Sequence, residues 1–471
     1  MGKQKLNIKD LSTINFPSEV ARSLSLNIMN RHFGHTPNEE KLSLINNVLT
    51  HPDDYLNDDT LGLLAHKLVS KSITESFKAY ELDAEPKHFD VFGSKHIEIN
   101  AIKQMELVMR LPIAERGALM PDAHQGYGLP IGGVLATRNA VIPYGVGMDI
   151  GCRMALSILE MPGSYVGHHA YELKRALKDY THFGNDGGLE QRQDHDVLDH
   201  ADFQLTELLR RLHGKAVRQL GSSGSGNHFV EFGVIEIGEV SGLLPDGLSA
   251  GSYAAILSHS GSRSLGANIA QHYTDIAMSK CKLPSEAKHL AWLDLRSHEG
   301  QEYWLSMNLA GEYAKACHDR IHANLCDALG ATVITKVENH HNFAWNERLS
   351  DGQEYIVHRK GATPAGSGVL GIIPGSMTAP GYVVRGLGNE SSLNSAAHGA
   401  GRKLSRLKAK NSVTMSAMKK MLDSGKVTLI GGSPEESPMA YKDIELVMGS
   451  QSTLVTVEGK FIPRIVRMAK D

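Results

Sequence analysis

The sequence predicts an α+β fold, a complex mixed domain that carries a small helical appendage at its N-terminus. Three observations lead there. From about residue 88 onward, short β-branched runs are separated by Gly-rich turns, as in IGGVLATRNAVIPYGVGMDIG, GNHFVEFGVIEI, GVLGIIPGSM and GYVVRGLG. Helical stretches interrupt these runs without the regular strand–helix alternation of a doubly wound sheet. Residues 1–86 differ in texture, being rich in Asn, Ser and Leu. The chain's 471 residues exceed the roughly 250–300 at which a single core stops growing. The division is therefore placed at 1–86 for the appendage and 87–471 for the main domain.

Taken in order, Leu42, Leu44, Ile45 and Leu49, then Leu61, Leu63, Leu64 and Leu68, recur at helical spacing. Asn38 and Asp58 are suited to cap those two helices. The acidic, Pro-containing stretch from Glu81 to Pro86 marks the boundary. Further helices are expected over Tyr171–Tyr180, Val197–His213, Trp304–Leu329 and Thr414–Leu422. In the strand that opens with GNHFVEF, His228, Val230 and Phe232 fall on one face, and Asn227, Phe229 and Glu231 on the other.

Lys+Arg number 49 and Asp+Glu 52, a net charge of −3. A chain-wide basic field for nucleic acid is excluded, although a local patch is not. Four cysteines without a CxxC pair make neither a disulfide scaffold nor a zinc ribbon. With no apolar run near the ~18–20 residues that span a bilayer and no leader pattern, a cytoplasmic protein without a membrane partner is expected.

Five constellations carry chemistry. Asp149 and Cys152, in PYGVGMDIGCRM, place a carboxylate and a thiol on a Gly-rich turn where both can reach one metal ion. The plainer reading is a buried cysteine beside a turn aspartate. Gly224–Glu231 reads as a phosphate cradle leading into a strand with His228, against a satisfied edge histidine. Ser258-His259-Ser260-Gly261-Ser262-Arg263 enters a helix and suits an anion, against ordinary capping. In Asn339-His340-His341-Asn342 the two histidines point apart, so at most one is a ligand. Together these supply one Asp, one Cys and three His, the donor set of a metal centre for hydrolysis or phosphoryl transfer. Donor softness alone favours zinc. Finally, His398 opens a Gly-Ala-Gly turn, and residues 402–420 hold seven basic residues and no acidic one. That strip suits phosphates, and imidazole can form covalent intermediates; a solvated basic helix with a capping histidine is the alternative. Gly366-x-Gly368-x-x-Gly371 runs into Ile372-Ile373-Pro374 and not into a helix, so it is not a dinucleotide fingerprint. No GxxxxGK[ST] or HExxH occurs.

From about residue 88 to the C-terminus the chain resembles the RtcB family of GTP-dependent RNA ligases. The blocks that carry the resemblance are MPDAHQGYGLPIGGV, VGMDIGC, GSGNHFVEFG, SHSGSRSLG, VHRKGATPA, IIPGSM, HGAGRKLSR and AYKDIELV, with Lys470 penultimate. The resemblance implies an RtcB-like fold and an enzyme that joins an RNA 3′-phosphate or 2′,3′-cyclic phosphate to a 5′-hydroxyl. It implies two Mn²⁺ ions held by Asp149, Cys152, His228, His259 and His341, with the thiolate bridging. It implies that His398 takes GMP from GTP and passes it to the RNA 3′-phosphate. Asn227, Phe229, Glu231, Ser376, Gly399, Ala400, Gly401, Tyr441 and Lys470 then match nucleotide-binding positions. Arg263, Arg402 and Arg406 match positions for RNA phosphates, and an activator of the archease type is a conceivable partner. Two readings compete: guanylylation of the 3′ end without joining, and a metal-dependent cyclic phosphodiesterase. Arg153 stands where the family usually has glycine, and is expected to touch a phosphate or narrow the RNA path. Asp471 replaces the usual terminal glycine. With the long appendage, these departures suggest a divergent member.

Overall fold

The computed structural model describes residues 5–12, 14–69, 77–184, 189, 191–239, 241–245 and 249–470; Asp471 lies outside them. Two β-sheets organise the main domain. The larger has the strand order Val333–His340, Arg153–Pro162, Gly251–Ser260, Phe229–Ile237, Val455–Met468, Gly381–Gly386, Leu370–Ile373. Each neighbour on that path is antiparallel, and the short strand Thr428–Ile430 adds to Val455–Met468 in parallel. The smaller sheet runs Asn342–Arg348, Glu354–Lys360, Ile131–Thr137, Ala114–His124, Phe89–Val91. Antiparallel pairing with non-sequential neighbours is what the missing strand–helix alternation implied.

The long helix His298–Leu329 and the shorter Ala170–Tyr180 pack on the larger sheet. The helix His298–Leu329 is capped by the Ser297 hydroxyl, which accepts from the Gly300 N–H, and starts six residues before the expected Trp304. Its His318 and His322, both buried, meet the sheet through hydroxyls. Ser258 Oγ lies 2.6 Å from His318 Nδ1 and 2.7 Å from His322 Nε2, and Ser157 Oγ lies 2.7 Å from His322 Nδ1. The expected helix Val197–His213 is two 3₁₀ turns, Asp196–Asp199 and Ala201–Gln204, followed by an α-helix, Glu207–Gln219. The imidazoles of His195 and His200 accept from the Val197 and Asp202 N–H groups and cap the start of each turn, a local competition with a continuous helix that periodicity does not register. The helices Ala170–Tyr180 and Met415–Ser424 lie where expected, the latter capped by Thr414.

In the N-terminal segment, helices Glu19–His32, Asn38–Thr50 and Gly62–Val69 enclose a separate apolar cluster around Met29, Ile45 and Leu64. Asn38 is the first helical residue and not the cap, whereas Asp58 Oδ1 accepts from the Thr60 and Leu61 N–H groups one turn ahead of its helix. The segment rests on the main domain through Val20, which joins the largest core cluster. Gln301 also donates to the Leu63 carbonyl (2.9 Å) and Arg31 to the Asn346 carbonyl (3.0 Å). Among the described residues no helix is long and apolar enough to cross a membrane.

Candidate metal and nucleotide site

The site lies where the chain passes from one sheet to the other. His341 is the single residue between Val333–His340 of the larger sheet and Asn342–Arg348 of the smaller. Its backbone N–H donates to the Cys152 carbonyl (3.0 Å), and the Gly151 N–H donates to the Asn342 carbonyl (2.8 Å). The Asp149–Cys152 turn is thereby stitched to the crossover. Gly151 is needed in that turn: its φ is +70°, and a Cβ there would lie 2.8 Å from the Gly311 Cα of the long helix.

Four imidazoles, a thiol and a carboxylate converge on this point. Cys152 Sγ lies 3.1 Å from His259 Nε2 and 3.5 Å from His228 Nε2. His228 Nε2 is 3.0 Å from Asp149 Oδ2, and His259 Nε2 is 3.3 Å from His341 Nε2. The His259 Nδ1 faces the Asn227 carbonyl at 3.1 Å, which fixes that nitrogen as the donor and turns the Nε2 lone pair inward. His398 stands 5.0 Å from His341 between ring centroids. His340 points the other way, stacked on Trp345, so one of the adjacent histidines faces the site.

The electrostatics of this arrangement ask for a cation. Burial pushes the Cys152 thiol well up, and the Asp149 carboxylate adds to that. Burial and the neighbouring His228 hold His259 down at about 3, and burial and the neighbouring imidazoles lower His341 strongly. Burial would raise Asp149, but the His228 hydrogen bond and charge outweigh it and leave the carboxyl below its ordinary value. Imidazole nitrogens 3.3 Å apart, with the buried Nδ1 atoms of His228 and His341 lacking a partner among the described residues, fit a group of metal ligands better than an apolar core. Among the described residues, Cys152, His228 and His259 have donor atoms close enough together to share one ion.

A cavity of about 890 Å³ opens beside the cluster, within the range that buries a nucleotide-sized ligand. Asp149, Asn227, Phe229, Glu231, His259, His341, Ser376, His398, Gly399, Ala400, Gly401, Arg402, Arg406 and Tyr441 line it. Asn227, Phe229 and Glu231 share the cavity face, as alternation predicts, while Val230 and Phe232 enter an apolar cluster. His228 departs from that pattern: the strand begins at Phe229, so His228 is free to turn towards Asp149. Glu231 is buried without a hydrogen-bond partner among the described residues, and burial drives its carboxyl well up.

Five of the expected residues stand differently. Cys152 and His228 belong to the cluster but not to the cavity wall. Arg263 is buried with φ +57°, donating from Nε to Ser222 Oγ (3.2 Å) and from the guanidinium to the Gly184 carbonyl. Lys470 is exposed beyond the last strand and does not line the cavity. Arg153 corrects an expectation: it is absent from the cavity wall and buried behind Cys152, because strand alternation sends it to the opposite side. There its guanidinium lies 3.5 Å from Glu338 Oε1 and donates to the Gly311 carbonyl at 3.4 Å.

Sequence reasoning missed three residues. Asp122 is fully buried, and its Oδ2 accepts both from the His398 backbone N–H (3.1 Å) and from the ring Nδ1 (2.6 Å). The signal was available, since a carboxylate inside the apolar strand run LMPDAH needs a partner. Glu436, also buried, gathers Arg402 (2.9 Å), Arg406 (3.4 Å) and the Tyr441 hydroxyl. Lys360, in the cavity wall, is lowered to about 8 by burial.

Against known proteins, a family model described as tRNA-splicing ligase RtcB matches residues 104–204 and 181–468. The RNA-splicing ligase RtcB of Escherichia coli K12 is 32% identical over 392 residues, covering 77% of this chain and 92% of that protein. The tRNA-splicing ligase RtcB of Nanoarchaeum equitans is 31% identical, covering 76% and 89%. RNA-splicing ligase RtcB homolog 1 of Entamoeba histolytica is 30% identical, covering 87% and 86%. Fold, site and relatives together define the class as RNA ligase. This chain belongs to the RtcB family.

Proposed function

We propose that this chain is a GTP- and Mn²⁺-dependent RNA ligase that joins 3′-phosphate or 2′,3′-cyclic phosphate ends to 5′-hydroxyl ends, with His398 as nucleophile. The observation that carries the reading is the His398–Asp122 pair. With Nδ1–H donated to Asp122 Oδ2 at 2.6 Å, the Nε2 lone pair is left free, and Nε2 has no hydrogen-bond partner among the described residues. Nε2 attacks the α-phosphorus of GTP: an N–P bond forms, the bridging α–β P–O bond breaks and pyrophosphate leaves. An oxygen of the RNA 3′-phosphate then displaces the imidazole, which regains its lone pair. The 5′-hydroxyl attacks the 3′-phosphorus, the phosphodiester forms and GMP leaves. Cyclic ends are first opened by water.

Two Mn²⁺ ions held by Asp149, Cys152, His228, His259 and His341 would neutralise charge on the reacting phosphates. The other assignments follow the cavity. A carboxylate at Glu231 suits the N1–H and N2–H₂ edge of guanine, which adenine lacks, and would favour GTP over ATP. Asn227, Phe229, Ser376, Gly399, Ala400, Gly401 and Tyr441 surround the nucleotide, with Lys470 reaching it from the C-terminal tail. Arg402 and Arg406 hold RNA phosphates, and Arg263 serves once freed from its buried partners. A cytoplasmic location and an archease-type activator belong to the same reading.

The test is incubation with Mn²⁺ and α-labelled GTP, wild type beside His398→Ala. An acid-labile, hydroxylamine-sensitive label on the wild type alone is the expected result. No label on metal-loaded wild type overturns the reading and favours the cyclic phosphodiesterase. Label transfer to RNA without joining favours end guanylylation.

A further inference from the structure

Tyr127 stands at the lip of the cavity with 75% of its surface exposed. Its hydroxyl has no hydrogen-bond partner, and its ring no stacked aromatic or cationic neighbour, among the described residues. The backbone beneath it is held firmly. Gln104 Nε2 donates to the carbonyls of Gly126 (3.0 Å) and Gly128 (2.6 Å), while Gln104 Oε1 accepts from the Gly126 N–H (3.1 Å). From the cavity side, Lys360 Nζ donates to the Tyr127 carbonyl itself. Gly128 has φ +69°, and a Cβ there would lie 3.2 Å from the Tyr144 ring, so this tight return of the chain needs glycine. An immobilised backbone thus presents an unsupported aromatic ring.

The ring's surroundings indicate what it meets. A second cavity of about 380 Å³ shares Gln125 and Gly126 with the first and includes Lys103 and His289 in its wall. The Tyr127 loop is therefore the ridge between a chamber containing His398 and a second, smaller hollow whose wall carries both Lys103 and Glu286. A nucleic-acid strand leaving the first chamber over this ridge passes its bases across the tyrosine.

We propose that Tyr127 is a positioning residue, a stacking platform for a nucleobase close to the RNA end being joined. The proposal rests on the reading that RNA ends meet at His398. Every base has a π-face, so such a platform holds an end without reading its sequence. It fits an enzyme whose substrate has a defined terminus.

The test is the kinetics of RNA joining at saturating GTP and metal with wild type, Tyr127→Ala and Tyr127→Trp. Each is given intact RNA, or RNA with one abasic nucleotide beside the join on the 3′-phosphate or the 5′-hydroxyl side. Tyr127→Ala is expected to raise KM for RNA by about five- to a hundredfold, with the loss in KM and not in kcat, and Tyr127→Trp to restore it. The abasic nucleotide on one side should cost wild type a similar factor and Tyr127→Ala nothing more, which also identifies the end that stacks. An unchanged KM in Tyr127→Ala, or equal abasic penalties in wild type and variant on both sides, overturns the proposal and leaves the ring to a protein partner. Binding of the same RNAs without nucleotide separates the two readings. If wild type takes no label from GTP yet Tyr127→Ala loses base-dependent RNA binding, the histidine mechanism falls and the platform stands. If wild type labels and joins but is indifferent to Tyr127, only the platform falls.

Discussion

Asp122 and Glu231 are buried carboxylates in opposite situations, the first behind His398 and the second in the cavity wall. Asp122 accepts from His398 twice through Oδ2 while Oδ1 has no partner among the described residues, so the carboxyl group serves to orient that ring. Asp122→Asn presents the wrong partner to Nδ1, and labelling of the protein from GTP should slow by about 100-fold with the fold intact by circular dichroism. Glu231 is the opposite case, buried and waiting for a donor. Its folded value lies above the ordinary 4.5, so the stability linked to it is fully present below about that pH and is lost as pH rises through the raised value. Glu231→Gln should therefore raise Tm at pH 8, leave it nearly unchanged at pH 4 and erode the preference for GTP over ATP. Arg153 is judged by packing. Arg153→Gly opens a cavity behind Cys152 and should cost about 2–4 kcal/mol in denaturant unfolding, whereas Arg153→Met fills the space and should cost about 1 kcal/mol or less. Neither should alter KM for RNA, because the guanidinium faces Glu338 and the long helix.

At the scale of elements, the Asp149–Cys152 turn is positioned by packing against a helix. The backbone of Gly151 sits against Gly311 of His298–Leu329, and the same helix anchors the larger sheet through His318 and His322. Gly151→Ala demands an unfavourable φ and a contact at 2.8 Å with the helix backbone, a strain on the order of 1–3 kcal/mol. The turn is the part free to give way. Metal content per chain should fall well below wild type, measured by elemental analysis, while Tm drops only modestly. The C-terminal basic strip divides into two short helices, Arg406–Ser412 and Met415–Ser424, and Arg406 shares Glu436 with Arg402 at the cavity wall. That carboxylate keeps two arginines near one another before any phosphate arrives.

For the whole molecule, the cluster sits where two sheets cross over, so a metal bound there would link its loading to global stability. A metal that binds only the folded chain raises stability by about 2.7 kcal/mol at a hundred times its Kd. Because burial raises the Cys152 thiol, the metal must displace its proton, and affinity should climb with pH. Mn²⁺ or Zn²⁺ added to chelator-treated protein should raise Tm more at pH 8 than at pH 6, and Cys152→Ser should remove most of that increment. Much of this was legible in the chain itself. The α+β class followed from β-branched runs without strand–helix alternation, and the eight motif blocks led to the family that the comparisons establish. The short-range turns around Asp149, Asn227 and His398 were readable because glycine spacing is local chemistry. Other features required the tertiary structure. Val197–His213 breaks at His200, whose imidazole caps a new turn, and His228 escapes its strand face because pairing starts one residue later. Arg153 turns away from the cavity, whereas Asp122 reaches His398 from 276 residues away, and Glu436 and Tyr127 join the cavity wall from 34 and 271 residues away from Arg402 and His398. Sequence by itself determined which groups the chain possesses and the local conformations they favour. Which groups share a dielectric, a proton or a cavity wall was decided only when sheet pairing brought distant segments within a few ångströms, since electrostatic and hydrogen-bond partnerships depend on distance in space and not along the chain.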